Sequence, residues 1–177
     1  MSSRRSPSRS GSVSARASAS SATSALSLHR LRDYQREIAH AILDSVFGRK
    51  GLTFSVEIAR QGGKNELSAQ LELLLLTLYL AESRNLVKCS PTFKPQTVIS
   101  MMRLRDRLND AGFAGLWMSE LGYIIRLGNA RAVFLSAEES ANVVGNTAHI
   151  LLEIDESQDV SKEKYTKEYF SMLLWVR

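Results

Sequence analysis

A single cysteine, three prolines and an aromatic content of 7% remove several architectures from consideration. One thiol, Cys89, excludes an intramolecular disulfide and a metal cage built from this chain's own thiolates. It suits a reducing compartment. Three prolines and ten glycines are too few for a collagen-like or proline-rich filament. No run approaches the roughly 18 apolar residues of a membrane span. The richest stretch, 71–80, is interrupted by Glu72 and Thr77. No secretory apolar segment follows the first residues. An excess of one charge is also missing from most of the chain. The net charge of +5 sits mainly in residues 1–27, which hold Arg4, Arg5, Arg9, Arg16 and no acid. The remainder has 19 basic and 18 acidic residues, so charge alone marks no nucleic-acid face there.

What is present fits one globular domain with a tail. The 177 residues are 44% hydrophobic, enough for a core. Residues 1–27 contain twelve Ser and five Ala and little to bury. Such a segment cannot offset its ordering entropy and reads as disordered. Three accounts of it stay open: a solvated tail touching anions, a transit peptide of Arg- and Ser-rich type, or an upstream stretch outside the working protein. Residues 28–177 form the domain.

Its elements follow from periodicity. Leu31, Tyr34, Ile38, Ile42 and Val46 recur at steps of three and four, the stripe of an amphipathic helix. Residues 53–58 are a short β-rich run. A Gly-containing turn follows, and then a helix over 65–81 whose Leu-rich middle is expected to be buried. A strand is expected at 86–89. A helix over 96–111 places Val98, Met101, Met102, Leu104 and Leu108 inward. Gly128-Asn129 between 123–127 and 132–136 predicts a hairpin. Residues 150–154 are a continuous apolar strand, and 165–175 read as a helix ending in an apolar run. Strands alternating with helices give an α/β fold. Continuous apolar strands give a mostly parallel sheet flanked by helices.

Two segments carry chemistry. The order strand, Gly-containing turn, Lys, long helix is the layout of a phosphate cradle, in which backbone N–H groups and a helix N-terminus face the anion. Here the turn is Arg60-Gln61-Gly62-Gly63 and the lysine is Lys64. Ile58 stands where the usual motif has its first Gly, and Asn65 where it has Ser or Thr. About 90 residues later Ile150-Leu151-Leu152-Glu153-Ile154-Asp155-Glu156 delivers two carboxylates at a strand's C-terminal end, the ligand-binding end of an open α/β sheet. An Asp there can hold Mg²⁺ through its water shell, and an adjacent Glu can polarise an attacking water. The competing account is that the two acids cap the next helix. His29, His40 and His149 are scattered and do not suggest metal ligation.

These residues resemble a family. Ala59-Arg60-Gln61-Gly62-Gly63-Lys64-Asn65 is similar to the deviant Walker A of phage terminase large subunits, the motors that package DNA into capsids. Leu31-Arg32-Asp33-Tyr34-Gln35 resembles the adenine-binding segment that precedes it. Residues 122–138 resemble the stretch between the Walker motifs, and 151–160 the Walker B strand with its Asp-Glu-x-Gln extension. The resemblance spans about 31–170. It implies a P-loop NTPase of the RecA-like (ASCE) kind, C-terminally incomplete, with ATP and Mg²⁺ as cofactors. It implies that Lys64 neutralises the β- and γ-phosphates and that Arg60 adds charge at the γ-phosphate. Gln61, Gly62 and Gly63 would cradle phosphates. Asn65 and Asp155 would serve the metal, and Glu156 would be the water-activating base. Gln35, with Tyr34, would read adenine; for Tyr34 a place in the core is the alternative. Gln158 reads as leading into the next helix. By the same resemblance the partners are double-stranded DNA, a portal and a small terminase subunit, with a homo-oligomer, no membrane, and the cytoplasm of a bacterial host carrying a phage or prophage.

Two departures matter. Val144 stands before Gly145, where many terminases carry an Arg that acts on a neighbour's ATP, so that trans role is not expected. In the family a further strand follows Walker B and lies between the two Walker strands. After Ile154 no such strand is evident, so the edges of 53–58 and 150–154 that would face it are expected to lose their ladder partner. The rival readings are a helicase-like ATPase and a truncated remnant that binds nucleotide without turnover or does nothing.

Overall fold

The computed structural model describes residues 31–138 and 145–173. The Ser/Arg-rich tail, His29, Val144 and the apolar end at 174–177 lie outside the described residues.

Helix α1 (Asp33–Phe47) leads to α2 (Lys64–Leu78) and strand β1 (Asn85–Ser90). A wide turn (Phe93–Thr97) opens α3 (Val98–Leu108), and a second wide turn (Asn109–Phe113) closes it. Strands β2 (Trp117–Glu120), β3 (Ile124–Leu127) and β4 (Ala130–Ser136) follow, then β5 (Leu152–Ile154). A 3₁₀ turn (Ser157–Asp159) precedes α4 (Lys162–Lys164), a wide turn (Tyr165–Tyr169) and α5 (Phe170–Leu173).

The fold is α/β, an open five-stranded sheet in the order β2-β3-β4-β1-β5. The sheet is mixed rather than mostly parallel. β1 pairs in parallel with β4 and β5, whereas β2–β3 and β3–β4 are antiparallel. The reason is local: β3 and β4 are joined by the Gly128-Asn129 hairpin, a connection only antiparallel strands permit. β2, which the sequence pattern did not suggest, extends that side.

Alternation along β1 divides the core. Leu86 faces the α1, α2 and α3 side with Leu67, Leu71, Leu75, Leu104 and Leu108. Val87 and Cys89 face the opposite side, where Tyr169 and Met172 cover them. Burial pushes the Cys89 thiol up to about 12, so it is an inert core group. No helix among the described residues is long and apolar enough to cross a membrane.

Three further expectations are corrected. Residues 51–59 form neither helix nor strand and are mostly exposed. A β-rich segment expresses its preference only against a neighbouring strand, and among the described residues none pairs with it. On α1 the fully buried row is Gln35, Ala39 and Leu43, with Ile38, Ile42 and Val46 packed at its margin. Tyr34 is 40% exposed and outside the core. On α3, Met101, Leu104 and Leu108 are buried but Met102 is 54% exposed, because it falls a quarter-turn off the stripe.

Candidate functional site

The turn that precedes α2 is shaped by its glycines. Gly62 N–H donates to Ala59 O at 2.8 Å, and a Cβ on Gly62 would sit 2.8 Å from that same carbonyl. Gly63 is the N-cap of α2 at φ 83°, a left-handed conformation that favours glycine. A Cβ there would also meet Gln35 Nε2 at 2.6 Å. Gln61 adopts φ 61° without being glycine and is exposed. The chain thereby reverses sharply into α2. Lys64 and Asn65 stand in the first turn, where N–H groups have no intrahelical acceptor and the helix dipole favours an anion.

α1 holds this turn in place. Gln35, 4% exposed, donates from Nε2 to Gly63 O at 3.0 Å and to Gly62 O at 3.2 Å. Its Oε1 accepts from Arg32 N–H at 2.8 Å. Tyr34 Oη donates to Gly62 O. The two residues assigned to adenine by resemblance thus bind the backbone of this turn, and both oxygen and nitrogen of the Gln35 amide are engaged, by Arg32 N–H and by the turn.

The second half arrives from 92 residues away. β5 is laddered on β1 with Lys88 opposite Glu153, and Asp155 N–H continues the pairing to Cys89 O at 2.8 Å. Just past the strand, Asp155 and Glu156 meet Lys64. Its Nζ lies 2.8 Å from Asp155 Oδ1 and 2.5 Å from Glu156 Oε1. Burial works to lower the Lys64 pKa, but hydrogen bonds to Asp155 and Glu156 outweigh it and hold the ammonium above its ordinary value. The Lys64 hydrogen bond lowers the Glu156 pKa, aided by Gln158, whose Nε2 donates to Glu156 Oε2 at 2.6 Å. Glu156 is accordingly ionised at neutral pH. Its backbone lies at φ 48°, ψ 48°, a strained conformation for a non-glycine residue, costing on the order of 1–3 kcal/mol.

Lys64, Asp155 and Glu156 therefore converge. Arg60 is exposed and contributes only its charge, which helps to lower the Glu156 pKa. Asn65 is half-buried and makes no side-chain hydrogen bond among the described residues.

Four polar residues beneath the site escaped the sequence reading: Ser68, Glu72, Lys88 and Glu153. Lys88 Nζ lies 3.1 Å from Glu72 Oε1 and 3.0 Å from Glu153 Oε1. The signal was available: Ser68 and Glu72 continue the i, i+4 row of Lys64 through a helix that is otherwise Leu-rich, and Lys88 interrupts an apolar strand.

Among the described residues no three His, Cys, Asp or Glu side chains gather as a preformed metal cage. Mg²⁺ needs none, since it is usually held by one or two carboxylates with waters and substrate phosphates; Asp155, with its side chain 10% exposed, fits that requirement. No family model, curated protein or solved structure matches this chain.

Proposed function

We propose that this chain is the ATP-binding and ATP-hydrolysing part of a motor of the terminase large-subunit type, built on a P-loop NTPase fold. The observation that carries the reading is the meeting of Lys64, at the start of α2, with Asp155 and Glu156, at the C-terminal end of β5. Two motifs that were each ambiguous in sequence share one place. In this reading Lys64 and Arg60 neutralise phosphate charge, the Gly62-Gly63 turn approaches the phosphates, and Gln35 and Tyr34 hold that turn rigid. Asp155, with Asn65 at the helix start, would hold Mg²⁺, which supplies charge neutralisation of the phosphates when bound. Glu156 accepts a proton from the attacking water, and Gln158 orients it. Lys64 cannot serve phosphate and both carboxylates equally. As Lys64 turns toward phosphate, Glu156 loses its strongest hydrogen bond and its basicity rises. Double-stranded DNA, a portal, a small subunit and further copies of the chain belong to this proposal as partners, and the bacterial cytoplasm as its location.

A second reading, nucleotide binding without turnover, is favoured by one observation: residues 51–59 lead into the turn with no strand to stiffen it. One set of measurements separates the two. Mg²⁺·ATP binding, followed by calorimetry, is expected to weaken at least about tenfold in Lys64→Ala, equivalent to about 1.4 kcal/mol. Glu156→Gln is expected to keep binding and abolish hydrolysis, since it removes the base and keeps the shape. Equal affinity of wild type and Lys64→Ala overturns both readings. Binding without measurable turnover in the wild type selects the second.

A further inference from the structure

Counting along α2 in steps of four gives Lys64, Ser68 and Glu72, one row on one helix face. A step of two from Glu153 of β5 reaches Asp155, which continues the pairing to β1 just past the strand and shares that face. Lys88 is Glu153's partner in the parallel ladder and shares that face. A four-residue helix step advances about 6 Å and a two-residue strand step about 6.6 Å, so the two rows run in step. Lys64 meets Asp155 at 2.8 Å. Ser68 Oγ donates to Glu153 Oε1 at 2.6 Å. Glu72 Oε1 meets Lys88 Nζ at 3.1 Å, and Lys88 also donates to Ser68 Oγ.

We infer that Lys88 is a positioning residue: with Ser68, Glu72 and Glu153 it locks α2 to β5 in one register and thereby sets where Lys64 stands relative to Asp155 and Glu156. The inference rests on the functional reading of those three residues.

The physical case is directional. Leu-on-Leu packing tolerates sliding at modest cost, because dispersion and burial have no fixed angle. A buried ammonium shared between two carboxylates does not. Lys88 is 3% exposed and the Glu72 side chain 1%. A slip of one helix residue, about 1.5 Å, would break the three polar contacts together and strand charges away from water. The network is also imperfectly satisfied for a purely stabilising device, since Glu72 Oε2 has no hydrogen-bond partner among the described residues. An apolar replacement of such a group is often neutral or stabilising. Its presence beneath the site is explained by register, because a misplacement of ~1 Å can cost about 100-fold in rate.

The test replaces the fully buried pair by apolar residues of similar volume, Lys88→Met with Glu72→Leu, in the full chain. The melting temperature is expected to hold or rise. In the nucleotide-free protein, nuclear Overhauser contacts between α2 and β5 are expected to shift or broaden. ATP hydrolysis is expected to fall 10- to 100-fold in kcat with KM within about threefold, whereas Glu72→Gln, which keeps the row, retains wild-type kcat. A folded double variant with the wild-type contact set overturns the inference, whatever its activity. If the double variant does not fold, Ser68→Ala carries the same comparison: unchanged contacts overturn the inference and loosened ones sustain it. A wild-type protein that binds no Mg²⁺·ATP would instead sink the functional reading, while the contact comparison still decides the register.

Discussion

The two approaches to Lys64 are built differently. Asp155 and Glu156 reach it from a strand laddered on β1, with a buried ionic network underneath. On the other side, residues 51–59 run into the turn without a ladder, leaving Leu52 58% and Phe54 38% exposed. The turn itself is nonetheless well defined, because Gln35 and Tyr34 of α1 grip the Gly62 and Gly63 carbonyls. Order at the turn is therefore imported from α1 and β1. It does not come from the segment that immediately precedes the turn in sequence.

The comparison breaks most sharply on the laddered side. Leu86 is 0% exposed in β1 and packs among the α1, α2 and α3 side chains. Leu86→Ala is expected to cost about 2–5 kcal/mol, read by urea denaturation. A loss below about 1 kcal/mol would mean that β1 is not the stiff side of the site.

Gln35→Ala comes next. It removes three hydrogen bonds from a buried side chain, a loss of about 1–3 kcal/mol; Gly62 O keeps Tyr34 Oη, and Gly63 O keeps the Glu66 and Leu67 N–H groups. Amide exchange at Gly62–Asn65 should accelerate more than exchange in β1. Equal acceleration in both regions would show that α1 supports the whole domain and not the turn in particular.

A smaller effect separates the network from its surroundings by pH. Burial raises the Glu72 carboxyl from 4.5 to about 7, against the pull of Lys88. A raised carboxyl means that the folded protein binds the proton more tightly than the unfolded chain. This contribution to stability is fully present below about pH 4.5 and is lost as pH rises through about 7. Lys88 is itself held above its ordinary value, so its own loss lies far above this window. Denaturation midpoints of wild type and Glu72→Gln, measured from pH 5 to 7.5, should diverge, the wild type losing stability relative to the variant as pH rises. Parallel curves would show that Glu72 does not titrate there.

The smallest effect belongs to the unpaired segment. Phe54→Ser is expected to change stability by no more than about 0.5 kcal/mol, as for an exposed side chain away from special features. A larger loss in the same denaturation experiment would mean that 51–59 packs more firmly than its exposure indicates.

Much of the site was legible because its signals are local. Gly62-Gly63-Lys64 before a Leu-rich helix marks a turn into a helix N-terminus. An apolar run ending in Asp155-Glu156 marks a strand delivering carboxylates to the edge of the sheet. Gly128-Asn129 marks a hairpin. Two of the misreadings concerned partners distant in the chain. Residues 53–58 carry strand-forming side chains, but a strand exists only when another strand offers its N–H and C=O groups. The inward face of α1 could not be chosen between Tyr34 and Gln35, since what selects Gln35 is a pair of carbonyls 27 and 28 residues away.

By itself, then, the sequence determined the alternation of helices and strands, the glycine-dependent turn, and the residue types at Lys64, Asp155 and Glu156. Those follow from periodicity, backbone freedom and charge, which act over a few residues. Only the tertiary structure decided where the hairpin joins the parallel strands, that Gln35 and Tyr34 serve the turn, and that Lys64 and Ser68 face Asp155 and Glu153 in step while Glu72 meets Lys88 of β1. That registration depends on a helix rise and a strand rise nearly matching across segments some 90 residues apart. No local rule contains that condition, because it is set only when the two elements are packed together.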